Sequence, residues 1–195
     1  MIGLGKDSKS INLLNEAIEI FKQLDNLRAM HICSCELAKV FMLKDDFDSS
    51  ITIIEKGLAF FLEIKDHSSY IKYAPKLAKC YYNNKIFDKA IEALENTIKY
   101  NKSSNIDIDI ELAIINYLKT NDDKKLKDIL EMNINDEQYA YIYFNIGIIS
   151  RCEKSIKISR DMFTKLFKKH NDFNYNYFLK KNKVIYITPP LLILV

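Results

Sequence analysis

The stretch NNKIFDKAIEALENTIKY, residues 83–100, combines a short polar connection with the apolar pattern of an amphipathic helix. Ile91, Leu94 and Ile98 recur at intervals of three and four residues, which places them on one helical face. The same arrangement of a polar connection, a Phe-Asp pair and an apolar stripe occurs 40 residues earlier, from Leu43 onward. The stretch is therefore one copy of a repeated unit.

A shift of 40 residues aligns the chain with itself at many further positions, some apolar and some small. The coinciding residues are Ala17, Gly57 and Thr97; Ile18, Leu58 and Ile98; Leu37-Ala38 and Leu77-Ala78; Phe41 and Tyr81; and Phe47-Asp48 and Phe87-Asp88. Amphipathicity alone does not preserve a register at this many positions, so the pattern indicates a repeat of two helices. One such pair cannot bury its apolar stripe by itself, and the pairs must stack. The small residues at 57 and 97 predict a close approach of the neighbouring helix.

The repeated pattern LA-x-x-[FY]-x-x-x-x-x-F-D-x-[SA]-I-x-x-[IL] resembles the tetratricopeptide repeat (TPR) in a long variant of about 40 residues. The resemblance implies an all-α fold, an α-solenoid of stacked antiparallel helix pairs in a right-handed superhelix. It covers an array within residues 1–170, followed by a C-terminal tail at 171–195 that is basic and aromatic and then apolar. The array consists of a half-unit at 8–26, units at 31–66 and 71–102, and weaker units at 107–131 and 137–170.

The apolar periodicity predicts a series of helices and no strand in the array. The predicted helices span 8–25, 28–43, 47–64, 70–83, 87–101, 107–119, 123–131, 137–151 and 155–170. Pro75 predicts a helix that either starts close to this residue or bends there, because proline removes a helical hydrogen bond and clashes with the preceding turn.

The composition suits one helical array with a substantial core. Of the 195 residues, 48% are hydrophobic and 28% are charged, with only 4 Gly and 3 Pro, which disfavours a turn-rich β-sandwich or a disordered chain. The cysteines show neither metal-ligand spacing nor the density of a disulfide framework, and they are Cys33, Cys35, Cys80 and Cys152. The apolar C-terminal run ITPPLLILV is far shorter than the roughly 20 residues that span a membrane. We therefore expect a cytoplasmic protein.

Motifs with catalytic potential are weak. The sequence GLGK at residues 3–6 lacks the earlier Gly and the following Ser or Thr of a phosphate-binding loop. The carboxylates of DIDIE at 107–111 are better explained as a charged first helical turn than as a metal or acid–base site. The three histidines lie far apart in the repeat and have no Ser or Cys partner. The sequence thus predicts no enzymatic activity, no metal site and no cofactor.

The TPR resemblance implies that the first helices of the units line a groove that binds a protein or peptide. The partner-binding residues predicted in this way are Cys35, Lys39, Lys72, Lys76, Lys79, Tyr82 and Asn83. Some members of the family hold a peptide carboxylate with a Lys/Asn pair and, one unit later, Lys and Arg. Lys72 and Lys76 stand at the latter two places, which suggests an acidic ligand, whereas solubility is the alternative role of these lysines.

Three other functions remain open. The long unit and the stretch YFNIGIIS resemble the sensor domains of bacterial peptide-pheromone receptors. The continuous run from Ile11 to Tyr100 resembles the SNAP-like adaptors of vesicle fusion. Residues 151–183 hold ten Lys/Arg against three Asp/Glu with interleaved aromatic residues, a composition that can bind nucleic acid, although it also fits the solvated face of a last helix.

Overall fold

The computed structural model describes the backbone of residues 4–101, 105–132 and 134–170. Within these ranges the chain forms nine α-helices and no strand, so the predicted all-α fold class is confirmed. The helices are α1 (Leu4–Gln23), α2 (Leu27–Leu43), α3 (Phe47–Glu63), α4 (His67–Asn83), α5 (Phe87–Tyr100), α6 (Ile106–Thr120), α7 (Lys124–Glu131), α8 (Asp136–Ser150) and α9 (Glu153–His170). The predicted tail at 171–195 lies outside the described residues.

Helix α4 corrects one of the two expectations for Pro75, namely that a helix starts close to this residue. The helix begins at His67 and continues through Pro75, so it does not start near the proline. Asp66 caps the helix, because its side chain accepts a hydrogen bond of 3.1 Å from the Ser69 amide. The proline costs about 3 kcal/mol in a helix interior, whereas each fully buried large apolar side chain contributes about 1.5–3 kcal/mol. Burial of Tyr73 and Leu77, which flank the proline on α4, is therefore sufficient to keep the helix continuous.

The chain divides into two compact units, residues 1–108 and 109–195. The first unit contains helices α1 to α5, and the second contains most of α6 together with α7 to α9. The finer division of the array into a half-unit and four repeats stays a prediction.

The connections in the first unit recur every 20 residues, which is half of the predicted repeat. Each joins two helices with three residues, of which the middle one is left-handed, with φ between 51° and 62°. The following amide donates to the carbonyl of an aromatic residue five positions earlier, over 2.8–3.0 Å. The left-handed residues are Asp25, Asp45, Lys65 and Lys85, and the accepting aromatic residues are Phe21, Phe41, Phe61 and Tyr81. All four turns of this unit thus share one geometry.

Consecutive helices of the first unit pack against each other, and α2 also contacts α4. Gly57 confirms the predicted close approach, because a Cβ atom on it would lie 2.5 Å from the Cys35 sulfur on α2. Ala38 and Ala78 are almost completely buried, as their place in the repeat requires. The contact between α2 and α4 makes the first helices of successive pairs neighbours.

Two apolar clusters lie among the described residues of the second unit. The first joins α6, α7 and α8, and the second joins α8 and α9, where the Phe144 and Phe163 rings meet edge to face at 6.1 Å. A Cβ atom on Gly147 would lie 2.8 Å from the Ile156 backbone nitrogen, so α8 and α9 also approach closely. The residues of the first cluster are Ile110, Ala113, Ile114, Leu126, Ile129, Ile142 and Ile146.

Candidate functional site

One side of α4 carries four of the seven predicted binding residues. Lys72, Lys76, Lys79 and Asn83 follow at intervals of four, three and four residues, so they share one helical face. Lys72 and Lys76 are exposed, and Lys79 and Asn83 are half-buried. The Lys72 side chain reaches α2, which shows that this face adjoins the neighbouring first helix. We refer to Lys72, Lys76 and Lys79 as the α4 lysine face.

Two of the predicted binding residues lie in the core instead. Cys35 and Tyr82 have no exposed surface, so neither side chain is accessible to a ligand on this surface. Cys35 packs beneath Gly57, and burial raises the pKa of its thiol to about 12. The Asn83 side chain donates to the Lys79 carbonyl oxygen at 2.7 Å. The repeat pattern correctly predicted that Cys35 lies on the first helix of its pair. It predicted a side chain that faces the groove, whereas the Cys35 side chain packs against Gly57 of α3.

Polar contacts fix α4 against α2 near their amino-terminal ends. The Arg28 guanidinium on α2 lies 2.8 Å from the Asp66 carboxylate and donates to the Ser69 hydroxyl at 3.4 Å. Hydrogen bonds from Ser69 and Arg28 lower the pKa of Asp66, and they outweigh the opposing effect of burial. Asp66 therefore both caps α4 and connects it to α2.

A second contact between these helices centres on Glu36 of α2. One carboxylate oxygen, Oε1, accepts from the Lys72 ammonium at 2.9 Å and from the Tyr73 hydroxyl at 2.8 Å. The other oxygen, Oε2, accepts from Lys39 at 2.6 Å. Lys72 also donates to the Tyr73 hydroxyl at 3.0 Å, and its nitrogen lies 4.7 Å from the centre of the Tyr73 ring. Three side chains thus hold one carboxylate.

These contacts set the ionisation of the cluster. Burial raises the pKa of Glu36, but the hydrogen bonds from Lys39, Lys72 and Tyr73 outweigh it and lower the pKa to about 2. Contacts with Tyr73 and Glu36 raise the pKa of the Lys72 ammonium. Burial is the main reason that the pKa of Tyr73 rises to about 12. At neutral pH the cluster holds one carboxylate and two ammonium groups.

Glu36 and Tyr73 were absent from the predicted site. The sequence did contain a signal for Glu36, since it precedes Lys39 by three residues and the two therefore share a helical face. It also aligns with Lys76 in the 40-residue register. The contact with Lys72 depends on the distance between α2 and α4, which the sequence alone does not specify.

A half-open apolar cavity of about 260 Å³ lies between α2 and α3. His31 borders it and stacks on Phe60, with ring centroids 4.5 Å apart. Burial lowers the pKa of His31, which favours the neutral imidazole in this stack. The residues that line the cavity are Met30, His31, Ser34, Leu37, Ile53 and Lys56.

The acidic run at 107–111 contributes a helix contact. The Glu111 Oε1 atom accepts a hydrogen bond of 2.5 Å from the Tyr141 hydroxyl, and this joins α6 to α8. Among the residues whose side chains are described, no group of three His, Cys, Asp or Glu residues is placed to hold a metal ion.

The basic stretch at 151–183 falls only partly within the described residues. On the described part of α9, Lys154, Lys157 and Lys165 are exposed, and Glu153 and Asp161 are exposed beside them. The interleaved aromatic residues Phe173, Tyr175, Tyr177 and Phe178 lie outside the described part of the chain. Nucleic-acid binding through this stretch stays a prediction.

Solved structures provide a comparison for the whole fold. The TPR-like repeats of a candidate kinesin light chain from Podosopora anserina match with a TM-score of 0.53, over 93% of this chain and 88% of that one. A point variant of the same protein gives the same TM-score over 87% of its length. This chain has a TPR-like repeat fold. The sequence identity is 14% in both comparisons, so the likeness concerns the TPR-like fold alone.

No family model and no curated protein sequence matches the chain. The TPR-like fold is generally a non-catalytic scaffold, typically used for protein interaction. None of the helices in the described residues combines the length and the hydropathy that a membrane span requires.

Proposed function

We propose that the protein is a non-catalytic scaffold that binds an acidic peptide, or an acidic segment of a protein partner, on the face formed by α2 and α4. The observation that carries the proposal is the density of ammonium groups on this face. Lys39 and the α4 lysine face contribute four of them, and the Glu36 carboxylate accepts hydrogen bonds from Lys39 and Lys72. A carboxylate-rich ligand would relieve the repulsion among the lysines.

The arrangement of the lysines supports an extended ligand. Successive residues of the α4 lysine face are three or four positions apart, which corresponds to about one helical turn, or 5.4 Å along the helix axis. Carboxylates on alternate residues of an extended peptide repeat at about 6.6–6.8 Å, a similar spacing. Such a peptide can place acidic side chains near two lysines at once.

Binding of a labelled acidic peptide tests this proposal. The probe is a fluorescein-labelled hexa-glutamate peptide, and fluorescence anisotropy measures its affinity for the full chain. We expect binding that weakens as the salt concentration rises past about 0.15 M, where the screening length is near 8 Å. The double variant Lys76→Glu/Lys79→Glu should abolish it while the helical circular dichroism is retained.

A matched control keeps the change in net charge the same. Lys124 and Lys125 are exposed at the start of α7, and the double variant Lys124→Glu/Lys125→Glu also changes the net charge by −4. Binding should survive in this control. Loss of binding in both double variants would mean that net charge and not the α4 lysine face attracts the peptide, and the proposal would fail.

The sequence argument extends the proposal to the cytoplasm as the location, since cysteines without a disulfide framework suit a reducing compartment. Cys35 and Cys80 are buried, and burial raises the pKa of both thiols to about 12, which makes them unreactive.

A further inference from the structure

The outer face of α1 carries an apolar stripe that remains open among the described residues. Leu13 and Ile20 are 55% and 47% exposed, Leu24 is exposed as well, and the small Ala17 between them is half-buried. Their intervals of four, three and four residues place them on one helical face and match the a and d positions of a coiled coil. We refer to these four residues as the α1 stripe.

In the next pair of helices, α2 covers the equivalent face of α3. Ile53 borders the cavity that residues of α2 line, and Gly57 is buried with the Cys35 sulfur above it. Phe60 stacks on His31 of α2. In the 40-residue register these three positions of α3 align with Leu13, Ala17 and Ile20. Because helices joined by so short a connection run antiparallel, the α1 stripe corresponds to a face that an antiparallel helix covers one unit later.

The α1 stripe is complementary to a second copy of itself. Ala17 and Ile20 lie on either side of its middle, so a two-fold axis through the middle sets the small Ala17 of each copy opposite the large Ile20 of the other. The same axis sets Leu13 opposite Leu24. None of the four residues is charged, and antiparallel helices place opposite ends of their dipoles side by side. The two copies therefore meet without repulsion.

We propose that α1 is a dimerisation helix, and that its stripe packs against the α1 stripe of a second copy of this chain in antiparallel orientation. The second copy takes the place against α1 that α2 has against α3. The inference uses α1 alone, so it does not depend on the binding of an acidic ligand at the α4 lysine face.

The contact is small, so the dimer should be reversible. The α1 stripe spans about 17 Å along the helix axis, at a rise of about 1.5 Å per residue. Interfaces that bury less than about 1,200 Å² are typical of weak complexes. We therefore expect the fraction of dimer to rise with protein concentration.

Sedimentation equilibrium of the full chain, over a wide range of protein concentration, tests the dimer. The double variant Leu13→Glu/Ile20→Glu should lose it and sediment as a monomer throughout, because burying unpaired carboxylates is costly. The matched control is Leu43→Glu/Ile64→Glu, which replaces a Leu and an Ile of similar exposure, 57% and 43%, at the ends of α2 and α3. The control should dimerise as the native chain does, and circular dichroism on both variants checks that the helices are retained.

Disulfide formation tests the orientation of the two copies. An antiparallel pair brings Leu13 of one copy beside Leu24 of the other. A mixture of the Leu13→Cys and Leu24→Cys variants should therefore form the mixed disulfide faster than either variant forms its own. Both variants also carry Cys33→Ser and Cys152→Ser, because these two cysteines are not fully buried.

Each result decides for or against the inference. A dimer that is lost in Leu13→Glu/Ile20→Glu and kept in the control, with the mixed disulfide favoured, supports it. A native chain that stays monomeric at every concentration overturns it, and the stripe would then suit a helix of a different protein. A dimer that survives in Leu13→Glu/Ile20→Glu, or that is lost equally in the control, also overturns it. Faster formation of either variant's own disulfide refutes the antiparallel pairing.

Discussion

The start of α5 allows a direct test of the 20-residue register. Asn26, Asp46 and Asp66 occupy the N-cap positions of α2, α3 and α4, and each side chain accepts from the backbone amide three residues later over 3.1–3.2 Å. Ile86 occupies the same position of α5 with nearly the same backbone angles, and there is no side-chain hydrogen bond at this cap. The substitution Ile86→Asp should therefore supply a missing cap.

The size of the effect follows from two opposing changes. An N-cap Asp is worth about 0.5–2 kcal/mol relative to Ala. Ile86 is only 40% exposed, so replacing it also loses apolar burial, and this loss is similar in Ile86→Ala. The difference between Ile86→Asp and Ile86→Ala thus isolates the cap. For a chain of 150–250 residues, 1 kcal/mol corresponds to a melting-temperature difference of about 2–4 °C.

Thermal unfolding and amide exchange measure this difference. Ile86→Asp should melt above Ile86→Ala, and exchange of the Lys89 amide, three residues beyond the cap, should be slower in it. An Asp at 86 followed by Asp88 reproduces the Asp46 and Asp48 arrangement that α3 already contains. If the two variants melt together and the Lys89 amide exchanges equally fast in both, the four connections do not share one geometry.

Three more predictions concern the packing and the Glu36 cluster. Ala78 is almost completely buried, so Ala78→Leu should overpack this position and lower the free energy of unfolding by about 1–3 kcal/mol. An unchanged midpoint of urea unfolding would contradict the assigned register. Gly57→Ala should destabilise despite the roughly 1 kcal/mol that Ala gains over Gly in a helix, because its Cβ would lie 2.5 Å from the Cys35 sulfur. Adding Cys35→Ala should restore part of the loss, so a double-mutant cycle without coupling would refute this contact. The pKa of Glu36 falls from its ordinary 4.5 to about 2 on folding, so its contribution to stability is present above pH 4.5 and is lost as the pH falls toward 2. Glu36→Gln should flatten the acid limb of stability in that window, and parallel acid limbs for the two proteins in urea titrations would argue against the cluster.

Most of the fold could be predicted from the repeat in the sequence. The apolar spacing predicted the helices, because a helical face must be apolar wherever it packs, whatever its neighbour is. The close approach of a neighbouring helix at Gly57 was also predicted, because a repeated small residue marks a position where the contact leaves no room for a larger side chain. The 20-residue period was missed although aromatic residues mark it at Phe21, Phe41, Phe61 and Tyr81. At this shorter period α3 and α4 bury the same positions, among them Ile54 and Ala74, Gly57 and Leu77, and Leu58 and Ala78, but with side chains of different size. The difference in size hides the shorter period in the sequence.

The binding surface was predicted less completely. The spacing on α4 identified Lys72, Lys76 and Lys79 as one face, because a helix of known register fixes the directions of its own side chains. Cys35 and Tyr82 were misplaced because burial depends on how near the next helix lies. Distances between helices are tertiary information, and a pattern along one helix does not contain them.

The two units use one kind of contact between first helices but surround it with different charges. A tyrosine hydroxyl donates to a glutamate in both, from Tyr73 to Glu36 between α2 and α4 and from Tyr141 to Glu111 between α6 and α8. In the first unit Lys39 and Lys72 complete the carboxylate's hydrogen bonds. In the second, the other oxygen of Glu111 is buried and has no hydrogen-bond partner among the described residues. The contact that aligns the helices is thus independent of the charge presented beside it. A sequence identity of 14% supports a shared fold but not a shared surface charge. The lysines around Glu36, and not the fold, are therefore the basis for inferring an acidic ligand.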